Sequence, residues 1–290
     1  MIAETELILN PDGSIYHLKL NPGEVGETIL LVGDPERVPE VSKHFDKVEL
    51  TRHCRELLTH SGYIGSKKVT CISTGMGTDN IDIVLNELDA LFNVDFETRK
   101  IKSNLTKLNI IRLGTSGSVQ ESIPVDSILV SNFALGLDAL MQYYEHTFED
   151  KNTKECLDKF AKKMQLPLPY FVACSNELLG LFPELLEGVT ATCPGFYAPQ
   201  GRQIRASTNQ SSSELVQELN QLKITVGNKM LNVTNFEMET AGIYGLARVL
   251  GHEALSVNAI LANRITNNFS QNPYATIERM IQVVFDKLFG

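Results

Sequence analysis

Arg112 stands inside the apolar run 109–113 and is followed by Gly114-Thr115-Ser116-Gly117. A guanidinium among aliphatic side chains is costly unless it is paired, so Arg112 must meet either an internal carboxylate or a ligand anion. The small residues that follow favour the ligand. A second segment, Val32-Gly33-Asp34-Pro35-Glu36-Arg37, has the composition of a strand end turning into a helix. There a glycine lets the backbone approach a ligand closely, the free amides of the helix start favour an anion, and Arg37, one turn in, can reach the same anion. The plainer alternative is an ordinary strand–turn–helix with a surface arginine. A third segment, Asn235-Phe236-Glu237-Met238-Glu239-Thr240, sets carboxylates before an amphipathic helix, where the plain role is to complement the helix dipole. A fourth, Phe196-Tyr197-Ala198-Pro199-Gln200-Gly201-Arg202, joins two aromatic rings to an amide and a guanidinium. Such a set can stack on a planar ring and hydrogen-bond its edge, although loops of this composition are also common on surfaces.

Positioning these groups requires strands that end where helices begin. Short β-rich apolar runs alternate with helical-period segments, the pattern of strand–helix–strand units around a mixed or parallel sheet. The spacing predicts a strand over 28–32 and a helix over 36–45. A hairpin follows, with arms 55–63 and 67–73. Apolar residues at 81, 84, 85, 88 and 91 predict a helix over 80–92. The polar stretch 93–107 reads as a surface insertion, either a loop or a helix extension. Strands are expected over 109–113, ending in a glycine-rich turn, and over 127–133 and 254–261. Further helices are expected over 154–164, 213–222, 238–250 and 274–289, with a polar linker at 207–213. No repeat or composition shift divides the chain, so one domain over 1–290 is expected, with 1–14 as an N-terminal extension.

The chain has 290 residues and carries 26 Lys and Arg against 35 Asp and Glu, a formal charge of −9. An acidic surface repels phosphate backbones, which argues against nucleic-acid binding and requires that any small anion be held by a local cluster of arginines. The five cysteines (Cys54, Cys71, Cys156, Cys174 and Cys193) are scattered, with no C-x-x-C pair, and read as thiols of a reducing compartment. The first ten residues lack the basic start and apolar run of a secretory signal, and no stretch suits a bilayer span, so a cytoplasmic location without membrane partners is expected.

Taken together and in this order, the segments resemble the nucleoside phosphorylase superfamily from about residue 15 to the C-terminus. The resemblance rests on 32–38 (VGDPERV), 72–77 (ISTGMG), 111–120 (IRLGTSGSVQ), the loop ending Gln200-Gly201-Arg202, 235–240 (NFEMET) and Asn263-Arg264. The likeness is to the pyrimidine branch. The purine-cleaving branches carry an aspartate after the strand that here ends Leu261-Ala262-Asn263-Arg264, to protonate N7 of the base, and this chain has no acid there. The resemblance implies an α/β phosphorylase/hydrolase-like fold with a partly closed mixed sheet flanked by helices. It implies reversible phosphorolysis of uridine to uracil and ribose 1-phosphate, a pentosyl transfer. The alternatives are a phosphorylase or nucleosidase for another nucleoside, or a nucleoside-binding protein without turnover.

Residue by residue, the resemblance implies a phosphate site from the Gly33 backbone, Arg37, Arg112 and Thr115, with Arg55 reaching in from a neighbouring subunit. Met238 and Glu239 would bind ribose, His17 crossing the interface toward the 5′-hydroxyl. Gln200 and Arg202 would read the pyrimidine, supported by Arg264. Arg112, Glu239, Gln200 and Arg202 would carry catalysis. No organic cofactor is implied, phosphate being a co-substrate, while Glu56 and Ser73 match positions that hold a monovalent cation between subunits in some relatives. A homodimer is the minimal unit, and relatives assemble such dimers into hexamers. Gly77-Thr78-Asp79-Asn80 departs from the Gly-Pro-Ser usual after the Ser-Thr-Gly turn, and an aspartate facing bound phosphate would repel it.

Overall fold

A computed structural model describes residues 1–208 and 212–290, apart from the side chains of 212 and 213. Much of the linker expected at 207–213 therefore lies outside the described residues. The first half runs β1 (Thr28–Val32), α1 (Arg37–Ser42), β2 (Lys47–Cys54), β3 (Leu57–Ile64), β4 (Lys67–Ser73), α2 (Thr78–Asn93), β5 (Val94–Asp95), β6 (Lys100–Ile101), β7 (Asn109–Ser118) and β8 (Ile128–Gly136). The second half runs α3 (Lys151–Met164), β9 (Tyr170–Ala173), α4 (Asn176–Leu179), β10 (Leu186–Thr192), α5 (Ser212–Gln221), β11 (Lys223–Val226), β12 (Lys229–Glu237), α6 (Thr240–Leu250), β13 (Glu253–Asn263), β14 (Asn268–Phe269) and α7 (Pro273–Phe289).

The sheet is partly closed. β7, β13, β8, β10 and β12 are joined in that order, and β12 returns to pair with β7, completing a ring of strands. From β7 an open arm continues through β1, β4, β3 and β2. β1 lies parallel to both β4 and β7, and β7 parallel to β13, so their carboxyl ends emerge at one edge, where ligands of α/β sheets gather. The inner strands are covered on both faces, so β1, β7 and β13 are buried along most of their length rather than at alternate positions. Helix α2 buries Ile81, Val84, Leu85, Leu88 and Leu91 along the stripe that its spacing predicts. Helix α3 is capped by Asp150, whose side chain accepts from the Thr153 amide, and α7 by Asn272, which accepts from the Ala275 amide with proline following at the first helical position.

The structure corrects several sequence expectations. β7 does not end in a glycine-rich turn at Gly114: it continues as strand to Ser118. The first helix is shorter than expected, because its chain turns out at Lys43. Strand β2 was not anticipated. Its side chains are mostly exposed and polar, and it is held by pairing with β3 along its length. The 93–107 segment is neither plain loop nor helix extension: it contains the small β5–β6 hairpin, and Arg99 in its turn donates to the Ile2 carbonyl at 3.0 Å. That contact fastens the N-terminal residues, whose Leu7 joins the main core. Among the described residues, no helix is long and apolar enough to cross a membrane.

Candidate active site

Arg112 does meet internal carboxylates, contrary to the preference for a ligand anion alone. Its Nη2 lies 2.6 Å from Glu239 Oε2 and 3.0 Å from Glu237 Oε2, and its Nη1 donates to Asn258 Oδ1 at 3.1 Å. All four side chains are buried. Burial works against the charge of Arg112, but Glu237 and Glu239 outweigh it and hold its pKa above the usual arginine value. Burial, opposed by Arg112, pushes the Glu239 carboxyl above its ordinary value.

Gly114 is what allows this arrangement. It lies two residues beyond Arg112, on the same face of β7, and the guanidinium lies across it. A Cβ built at Gly114 would stand 1.6 Å from Arg112 Nη1 and 2.3 Å from its Cζ. The Gly-Thr-Ser-Gly run is therefore a path for the arginine along a strand rather than a turn.

Two turns border this cluster at the carboxyl edge. After β1, Gly33 sits with its Cβ direction 3.5 Å from the carbonyl of Gly75, in the turn after β4. Gly75 and Gly77 both have positive φ, 71° and 99°, which suits glycine, and the Gly77 amide donates to Glu239 Oε1 at 2.8 Å. Arg37, the first residue of α1, reaches the Leu113 carbonyl at 3.4 Å, beside Arg112. Its pKa is lowered by burial and then by the neighbouring Arg112 charge. Two guanidiniums and two glycine turns thus border a niche in which an anion would relieve the repulsion between the arginines. Thr115, on β7 at the same end, is partly exposed. Asp79 is exposed, with its Oδ1 2.8 Å from where a Cβ at Gly77 would stand.

Glu237, given from the sequence only the plain role of a carboxylate at a helix start, anchors the carboxylate side. Besides Arg112 it accepts from Thr192 Oγ1 at 2.7 Å and from the amides of Glu239 and Thr240, each at 2.9 Å. It thereby ties the end of β12 to β10 and to the start of α6. Met238 between the two glutamates is partly exposed.

Gln200, Arg202 and Arg264 come together in the loops that follow β10 and β13. Gln200 is buried, and its Oε1 accepts from Arg202 Nη1 at 2.6 Å. Arg264 donates to the carbonyls of Gln200 and Gly201 at 3.0 and 3.2 Å. Arg202 lies 3.8 Å over the Phe196 ring, and the buried Phe236 has Arg202 and Arg264 at 5.7 and 5.6 Å from its ring centre. Burial first, and then Arg264, lowers the Arg202 pKa to about 10. The buried Cys193, just after β10, lies within electrostatic reach of both Glu237 and Arg202, so the aromatic–guanidinium group lies near the carboxylate cluster. Asn263 is fully engaged: its amide nitrogen donates to the Gln120 and Ile123 carbonyls, and its oxygen accepts from the Ile265 and Thr266 amides. It closes the turn after β13.

Two expected site residues stay apart from this cluster within the chain. His17 Nδ1 lies 2.6 Å from Glu87 Oε1 on α2, and the Glu87 carboxylate also accepts from the His17 and Leu18 amides. Arg55 is exposed at the tip of the β2–β3 hairpin, with φ 57°. Beside it, the Ser73 hydroxyl is both donor and acceptor within the hairpin, to the Glu56 carbonyl and from the Leu58 amide. The sequence reading missed Asn258 and the steric role of Gly114. Only Gly114 left a signal, a glycine two places after a buried strand arginine.

The family model of the phosphorylase superfamily matches residues 27–284. A uridine phosphorylase of Thermococcus kodakarensis is 30% identical over 261 residues, 90% of this chain and 81% of that protein. A purine nucleoside phosphorylase of the DeoD type from Bacillus thuringiensis is 26% identical over 275 residues, 93% of this chain and 97% of that protein. Among solved structures, a Trypanosoma brucei nucleoside phosphorylase that shows uridine phosphorylase activity superposes with a TM-score of 0.87 at 30% identity, covering 97% of this chain and 99% of the other.

Proposed function

Because this chain belongs to the phosphorylase superfamily, we propose that it is an enzyme that cleaves uridine reversibly with phosphate, giving uracil and ribose 1-phosphate. The observation that carries the reading is the buried Arg112–Glu239 pair, with Arg37 on one side and the Gln200–Arg202 group on the other. Phosphorolysis needs no protein nucleophile. A phosphate oxygen forms the bond to C1′ as the bond from C1′ to the base nitrogen breaks, and that electron pair leaves with uracil. In this reading Arg37 and Arg112 hold the phosphate dianion, with the Gly33 backbone and Thr115 beside them. Fixing the nucleophile in place removes an entropic part of the barrier. Glu239 takes the sugar hydroxyls, with Met238 against the ribose. Gln200 and Arg202 meet the negative charge that develops on uracil, the logic of an oxyanion hole, and Arg264 holds the Gln200 backbone for that task. A pKa of about 10 leaves Arg202 charged at neutral pH.

The site is shared in this reading. His17 and Arg55 make no described contact with Arg112, Arg37 or Glu239, and in line with the resemblance both would act in a neighbouring subunit's site, across a homodimer interface. A monovalent cation at Glu56 and Ser73 would draw on the Glu56 carboxylate and the lone pair that Ser73 Oγ keeps after its two hydrogen bonds. A panel of nucleosides, assayed for free base with and without phosphate, tests the function. Uracil release that requires phosphate is expected. Release in water alone would mark a nucleosidase, hypoxanthine or adenine release a purine enzyme, and tight uridine binding without release a binding protein.

A further inference from the structure

The β2–β3 hairpin carries Arg55 on a two-residue tip, Arg55-Glu56, closed by the pair Cys54 and Leu57. That tip overhangs the sheet. The ladder between β3 and β4 begins only at Thr59 and Ile72, so Leu57, Leu58 and the tip extend past it. Arg55 also has φ 57°, a left-handed conformation that a residue with a Cβ adopts reluctantly. A strained, exposed tip does not stay in one place without a tie.

Ser73, the last residue of β4, supplies the tie. It is completely buried, and its Oγ donates to the Glu56 carbonyl at 2.6 Å and accepts from the Leu58 amide at 2.7 Å. The hydroxyl thus continues the ladder one step beyond the backbone pairing and grips the tip on both sides of Leu57. The tip rests on the turn after β4 as well, since a Cβ at Gly75 would stand 2.9 Å from Glu56 Cγ.

We propose that Ser73 is a positioning residue for phosphate binding in the neighbouring subunit: its hydroxyl holds the hairpin tip so that Arg55 is presented in one fixed direction. This rests on the reading of Arg55 as a shared phosphate ligand. Ser73 touches no substrate itself and acts through Arg55. Losing the hydroxyl frees the tip, and a misplacement of about 1 Å in a group that fixes a nucleophile is enough to cost on the order of a hundredfold.

The test compares Ser73→Ala and Arg55→Ala with the wild-type enzyme in phosphate titrations at saturating uridine. Ser73→Ala is expected to raise KM for phosphate at least about tenfold, and by more than it lowers kcat at saturating phosphate. Should the alanine variant not fold, Ser73→Cys keeps the volume with only a weak donor and is expected to give the same shift. The decisive arm mixes Ser73→Ala with Arg112→Ala chains in equal amounts and lets them reassemble. Sites on Arg112→Ala chains are dead. Sites on Ser73→Ala chains divide equally between those with an Arg112→Ala neighbour, whose hairpin is intact, and those with a Ser73→Ala neighbour, whose hairpin is loose. A biphasic phosphate curve is therefore expected, half of the active sites having the wild-type KM. A single phase at the raised KM would overturn the proposal, by placing the effect of Ser73 in its own chain. An unchanged KM in Ser73→Ala, alongside a raised one in Arg55→Ala, would overturn it while leaving the shared site intact. An unchanged KM in Arg55→Ala would bring down the shared-site reading, and the proposal with it.

Discussion

Replacing Gly114 by alanine tests whether the Arg112 guanidinium works where the structure puts it. The new Cβ would lie 1.6 Å from Nη1, and ordinary contact begins near 3.4 Å, so the guanidinium must retreat by roughly 1.8 Å. The 2.6 Å bond to Glu239 does not survive a shift of that size, and the bond to Asn258 from the displaced nitrogen breaks as well. A long side chain usually moves aside cheaply. Here its head is fixed between two buried carboxylates, so the retreat leaves charges without partners. The expected destabilisation is about 1–3 kcal/mol, the usual range for overpacking, read from urea unfolding. The effect on phosphorolysis should be larger, a fall in kcat/KM of about 100-fold or more, because a donor that orients the nucleophile is misplaced. Steady-state uracil release against phosphate concentration measures it. An alanine variant with near wild-type kcat/KM and unfolding midpoint would refute the argument, since the guanidinium could then do its work elsewhere.

Arg112→Ala should be inactive and also less stable, by about 3–5 kcal/mol at neutral pH, because Glu237 and Glu239 stay buried without their cation. Burial already holds the Glu239 carboxyl above its ordinary value, so the folded state takes up protons more readily than the unfolded one, and the loss should shrink as the pH is lowered toward 5 in urea titrations. Gln200→Ala and Arg202→Ala should each lower kcat for uridine by about 100-fold or more with little change in KM for phosphate, since charge on uracil develops only in the transition state; a matching gain of inosine cleavage would contradict the pyrimidine assignment. Hydrogen bonds from Ser270 and Thr276 lower the pKa of Asp126, so its contribution to stability is present above the ordinary value of 3.8 and is lost as the pH falls through the lower folded value. The melting-temperature gap between wild type and Asp126→Ala should therefore be full at pH 6 and narrow as the pH falls below 3.8.

Much of this was legible in the sequence because it is local. The α2 stripe repeats at helical spacing, the β1 run is continuous, and the motif residues Gly33 and Glu239 lie where strand ends meet turns. The partners were not legible, because they are distant: Arg112 and Glu239 are 127 positions apart, and nothing near Arg112 names the carboxylate that receives it. The misreading of 114–117 as a turn has a physical cause. Glycine and small polar residues are the signature of a turn, but they also serve a strand whose surface must stay clear for a guanidinium. Strand β2 was missed because its edge position leaves its side chains exposed and polar, so it carries no apolar pattern.

The closure of the strand ring sets the order in which this protein can become competent. β7 and β12 meet through only two paired positions, Asn235 with Ser118 and Phe236 with Gly117, reinforced by the Asn235 side chain on Ser116 at 2.9 Å. This short seam joins segments far apart in the chain, and distant pairings of that kind pay their loop-closure entropy before any contact rewards them. Arg112 lies on one side of the seam and the two glutamates on the other, so the ion cluster cannot assemble until the ring shuts. During refolding, catalytic activity should therefore return later than helical and strand content, and a lag between the two would time the closing of the ring.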